Sequence, residues 1–159
     1  SIEKCGQILG QTERADSLGE GLRAGLNRIS RLARRNPPKK VYVEIAANPL
    51  MTATTSSFVG ELVALAGGTN MAKGPKPYVL FNPERVVIED PEVIIIAHPT
   101  ASPDDVKRRV GWDKISAIRE DKVYRVDPDL VLRPGPRIVD GALELILKIH
   151  PEAAAKPAD

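Results

Sequence analysis

The sequence predicts an α/β protein, a three-layer sandwich with a mainly parallel sheet preceded by one long helix. Three observations carry this expectation. Strand-sized runs rich in β-branched residues alternate with helical patterns. Val93-Ile94-Ile95-Ile96-Ala97 is apolar without alternation, as a parallel strand covered on both faces requires. Proline and glycine punctuate nearly every junction. The 159 residues are enough for one domain with its own core.

The chain opens with helix. Ser1 can cap a short turn that stops at Gly10, and Thr12 offers a second N-cap oxygen with Glu13 in the first turn. Ala15, Leu18, Leu22, Leu26, Ile29 and Leu32 then form one apolar stripe. Gly19, Gly21 and Gly25 weaken this helix by about 1 kcal/mol each relative to alanine, so it needs a surface to lie on. Asn36-Pro37-Pro38 stops it. Lys40 to Ile45 is the first strand, followed by a polar loop from Ala46 to Ser56. A second helix runs from Ser57 to Ala66 and ends at Gly67-Gly68.

Thr69 to Phe81 reads as an irregular passage, after which Asn82-Pro83-Glu84 starts a short helix that Asp90-Pro91 ends. Beyond the strand at Val93, Ser102 caps a helix expected to reach Gly111. Residues 111–151 read as a short helix, a strand from Lys122 to Val126, a proline-rich loop and a closing amphipathic helix. That last helix is expected from Pro136, burying Ile138, Ala142, Leu145, Ile146 and Ile149 until Pro151 ends it. Residues 152–159 are expected to be a flexible tail.

Composition narrows the function classes. With 42% hydrophobic and 28% charged residues the chain is that of a globular domain. A net charge of +2 makes no case for nucleic acid. The densest basic cluster, Arg28 to Arg35 with Lys39 and Lys40, falls at a helix end, where cations favour the dipole. No apolar run approaches the ~20 residues of a membrane span. The start, Ser1-Ile2-Glu3-Lys4, lacks an export pattern, which fits either a cytoplasmic protein or a sequence that begins inside a longer gene product; the missing initiator methionine favours the second.

Enzyme motifs are missing. There is neither a phosphate loop nor a nucleophile elbow, and Gly67-Gly68 follows a helix rather than a strand, so it reads as a helix cap. Cys5 has no histidine in register and reads as a helix residue. His98 sits at the end of the central strand, where open α/β sheets place ligands, but it lacks the converging partners a metal needs. His150 reads as a dipole-compensating terminus. No enzyme activity, resident metal or cofactor is expected. Two exposed residues draw notice: Glu84 in the first turn of its helix, and Tyr78, held out by Pro75 and Pro77 either to stack on a flat ligand or to cover the sheet edge. Trp112 reads as core.

Several segments in order carry a family resemblance. They are Gly6-Gln7-Ile8-Leu9-Gly10-Gln11-Thr12-Glu13-Arg14-Ala15, Val41 to Phe58, Ala66-Gly67-Gly68-Thr69-Asn70, Asn82-Pro83-Glu84, Asp90-Pro91-Glu92-Val93-Ile94 and Arg133-Pro134-Gly135-Pro136-Arg137 leading into the last helix. In this order the chain resembles the bacterial substrate-binding proteins that deliver iron–siderophores, haem or cobalamin to ABC importers. The resemblance runs from Ile2 to Pro151. It implies a lobe-bridging helix with its lead-in over 1–36 and a C-terminal α/β lobe over 37–151, with the N-terminal lobe missing.

It further implies an extracytoplasmic location, as a periplasmic protein or a cell-surface lipoprotein, a metal-chelate ligand, and a permease as partner. By the same resemblance Glu84 docks onto permease arginines. Tyr78, Met51 and Thr52 face the ligand, and Arg133 meets an anionic group on it. The competing expectation is a cytoplasmic α/β interaction or regulatory module without catalysis.

Overall fold

The computed structural model describes residues 12–153. The expected opening turn, Cys5, the side chain of Thr12 and residues 154–159 lie outside the described residues. Helix α1 (Thr12–Ala33) leads into strand β1 (Lys39–Ala47) through a turn at Asn36. Then come β2 (Leu50–Ala53), α2 (Phe58–Leu65), β3 (Gly68–Asn70), β4 (Tyr78–Leu80), α3 (Pro83–Glu89) and β5 (Val93–Ile96). The chain closes with α4 (Pro103–Lys107), α5 (Ser116–Arg119), β6 (Val123–Arg125), α6 (Pro128–Val131), α7 (Ile138–Ile149) and a 3-10 turn, Pro151–Ala153.

One six-stranded sheet organises the molecule. Its order is β4-β2-β1-β5-β6, with β3 pairing beside the first residues of β1. The β1–β3, β1–β5 and β5–β6 pairs are parallel; β1–β2 and β2–β4 are antiparallel. The sheet is thus mixed, with a parallel centre and an antiparallel margin. The antiparallel strands lie where a polar loop and an irregular passage are expected from sequence. They are three or four residues long, too short for period-2 alternation to register.

Side chains alternate across β1 and β5 and so build two cores. Val41, Val43, Val93 and Ile95 pack with Ile29, Ala33, Leu62, Val63, Leu145, Ile146 and Ile149 from α1, α2 and α7. Tyr42, Ile94 and Ile96 pack on the other face with Val86, Val106, Trp112, Ile115 and Ala117. Helices on both faces make the three layers expected.

Element ends follow the local chemistry. Ser57 caps α2 by accepting from the Gly60 amide, and Asn82 caps α3 by accepting from Glu84 N, with Pro83 at N1. Ser102 and Asp105 form a reciprocal capping box on α4. That helix stops at Lys107, earlier than Gly111, and Gly111 takes up a left-handed turn instead (φ 80°).

Three expectations change. Leu18 is 45% exposed, although its spacing places it on the buried stripe of α1. At 3.6 residues per turn it lies about 60° from the line through Ala15 and Ala33, at the stripe's margin. The last helix begins at Ile138 rather than Pro136. The presumed tail starts in a fixed turn: Glu152 accepts from Lys39 Nζ at 3.0 Å and pairs with His150. His150 is therefore a fully buried latch between Glu152 and the carbonyl oxygen of Gly67, not merely a helix terminus.

Candidate functional site

The parallel strands all end on one margin of the sheet, the position at which open α/β folds hold ligands. Pairing register defines what lies there. Val79, Thr52, Glu44, Ile96 and Arg125 form one row across the sheet, and Leu80, Met51 and Ala46 the next row outward. Past these rows run the loop after β5, with His98 and Thr100, and the loop around α6, with Arg133. A β-bulge between Glu44 and Ala46 and a cis peptide at Asn48-Pro49 shape the β1–β2 hairpin.

The sequence-predicted residues fall differently on this margin. Met51 is half-buried in the outer row. Thr52 is fully buried and donates its hydroxyl to the Val43 carbonyl at 2.7 Å, so its side chain secures β2 rather than projecting from the surface. Tyr78 is 39% exposed and opens the edge strand β4, two residues or roughly 7 Å behind Leu80. Arg133 is exposed and pairs with Asp129 at 3.3 Å. Glu84 is exposed at the start of α3 and makes no ion pair among the described residues.

These residues are not one cluster. Glu84 follows β4 and Arg133 follows β6, the opposite edges of the sheet, which four strand spacings hold roughly 19 Å apart. The margin between them runs the width of the sheet. Its rear wall is tied down where Thr54 donates to the Lys76 carbonyl at 2.7 Å, its amide to that of Pro77, and Asn70 Nδ2 to that of Ala53.

Beneath the margin lies a cluster that sequence reasoning did not assemble. The Glu44 carboxylate is fully buried. Arg109 donates to both of its oxygens at 2.6 and 2.7 Å, and His98 Nε2 approaches at 3.0 Å. Because an ionised carboxylate only accepts, Nε2 donates to it, and Nδ1 shares a hydrogen bond of 2.9 Å with the Thr100 hydroxyl. Desolvation opposes the charge on Arg109, but its bonds to Glu44 outweigh this and raise its pKa above the usual value. Its guanidinium lies 4.6 Å above the Trp112 ring, which meets Tyr42 edge-on at 6.1 Å.

Burial, and then the neighbouring Glu44 charge, push the Tyr42 phenol far up, so it stays neutral; its hydroxyl has no hydrogen-bond partner. Glu44 and Arg109 come from elements 65 residues apart, and neither stands out in sequence. The one available signal was Glu44 as a charge inside the apolar run from Val41 to Ala47 of β1.

Chemically the cluster is an internally neutralised clamp that fixes the loop after β5. No group of three or more His, Cys, Asp or Glu able to hold a metal occurs among the described residues. Among those residues no helix is long and apolar enough to cross a membrane.

Comparison with known proteins matches residues 1–130 to a family model described as periplasmic binding protein. An uncharacterized ABC transporter substrate-binding lipoprotein of Bacillus subtilis is 31% identical over 96% of this chain and 49% of its own length. The vitamin B12-binding protein of Yersinia pseudotuberculosis is 26% identical over 82% of this chain and 48% of its own. The chain thus spans about half the length of the curated relatives it matches.

Solved structures agree in fold. A possible iron-binding periplasmic solute-binding protein from Staphylococcus epidermidis superposes with a TM-score of 0.84 at 24% identity, covering 94% of this chain and 60% of that one. A periplasmic heme-binding protein from Roseiflexus does so with 0.83 at 23%, covering 96% and 61%.

Proposed function

From the premise that this chain belongs to the periplasmic binding protein family, we propose that it is the C-terminal lobe, with its lobe-bridging helix, of an extracytoplasmic substrate-binding protein. The whole protein captures a metal-chelate ligand of the iron–siderophore, haem or cobalamin kind and delivers it to the permease of an ABC importer. Family membership over residues 1–130 is the observation that carries this reading. The names of the Bacillus and Yersinia relatives support it.

In this reading the sheet margin at Met51 and Leu80 is one wall of the ligand cleft, and a second lobe supplies the other. Thr52 holds that wall in register from within. Arg133, 79% exposed on its side chain, is free to swing from Asp129 to an anionic ligand group. Tyr78 stands at the outer edge as a stacking surface. Glu84, exposed and without an ion pair among the described residues, is the contact to permease arginines.

Function is then capture and presentation. A rigid, apolar-rimmed wall lowers the entropy lost on binding, and an exposed carboxylate steers the loaded protein onto a basic surface. Transport measured with the full-length protein tests the docking role. Glu84→Arg is expected to cut uptake at least tenfold with ligand affinity unchanged; an unaltered rate removes Glu84 from that role.

A further inference from the structure

We propose that the groove between α3 and the turn after α4 seats an apolar side chain of the importer permease, beside a cationic permease residue that meets Glu84. The proposal rests on the docking role given to Glu84 above and extends it to Ile88 and Val110.

These two are the most exposed large apolar side chains among the described residues, at 81% and 100%. A single exposed aliphatic residue is ordinary on a protein surface. Here both line the same groove of about 330 Å³, together with Val87 and Trp112. Glu84 is the one charged residue in the lining and has no ion pair among the described residues. An aliphatic trough with a lone carboxylate is complementary to a partner surface that sets an apolar side chain beside a lysine or arginine.

The floor of the trough is also held in place before any partner arrives. Trp112 beneath it is buried, held edge-on to Tyr42 and covered by the Arg109 guanidinium that Glu44 clamps. The left-handed turn at Gly111 follows directly on Val110. A preformed surface loses little entropy when it docks. A metal chelate is a poor occupant, because the lining offers it aliphatic walls and one negative charge.

The test titrates full-length protein, without ligand, onto its importer reconstituted in lipid vesicles. The Ile88→Ser/Val110→Ser double variant is expected to bind at least tenfold more weakly. Its thermal midpoint stays at the parental value, because both side chains are already solvated. Parental importer affinity in the double variant, with weakened binding by Glu84→Arg, overturns the groove proposal and leaves the Glu84 role standing. Weakened binding by the double variant but not by Glu84→Arg keeps the apolar contact but overturns the pairing of Glu84 with a permease cation, and with it the proposal as stated. Parental binding by both overturns both. Self-association in the parental protein that the double variant loses, at unchanged importer affinity, assigns the groove to a second copy and overturns the proposal.

Discussion

Glu44 is a fully buried carboxylate held by two neighbours contributed from beyond β5. Taking away a partner costs more than the pair is worth, because the remaining charge stays buried. Arg109→Met leaves Glu44 with His98 alone and is expected to destabilise the fold by about 3 kcal/mol. Glu44→Gln is expected to cost less, since the Arg109 side chain is 23% exposed and can turn to solvent. The double variant should lose less than the sum of the two, by urea unfolding in a double-mutant cycle. Additive losses would show that the two side chains are uncoupled. The exposure of Glu84 and Tyr78 was legible from flanking prolines and cap chemistry, which are local. The clamp was not, because its partners meet only when β1 and β5 pair and α4 folds back over them.

Helix α1 carries three glycines that look alike in sequence and differ in structure. A Cβ on Gly25 would stand 2.9 Å from both methyls of Val139, so this glycine lets α1 settle against α7. Gly19 meets nothing within 4 Å. Gly19→Ala is therefore expected to raise helix stability by about 1 kcal/mol, while Gly25→Leu forces α1 outward and costs about 1–3 kcal/mol. Thermal unfolding followed by far-UV circular dichroism reads both signs; equal effects would contradict the crossing. Helices, with their caps, were legible to within a residue or two at α2 and α3. Strands β2, β3 and β4 were not, because three or four residues hold their place through pairing with β1 and one another rather than through any pattern of their own.

At the scale of the molecule, the proposed cleft has one of its walls in this chain. Small-molecule sites commonly bury 70–90% of their ligand, which a single lobe's open face does not achieve. Calorimetry with this chain is expected to register cobalamin or haem only weakly, with dissociation constants above about 100 μM. Micromolar or tighter uptake would mean that the wall alone is a complete site. The layered architecture was legible because alternating β and α patterns leave few ways to cover a sheet. The antiparallel margin was not, although it carries Met51, Thr52 and Tyr78.

Trp112 is the only tryptophan in the chain. It sits on one face of the sheet, within 6.1 Å of Tyr42 and under the Arg109 cation. Its fluorescence accordingly reports one layer of the sandwich and not the other. Emission that reddens before helical ellipticity falls would mark the clamp side as the first to admit water. The same indole, lying under the α3 groove, makes that surface visible to light without any attached dye.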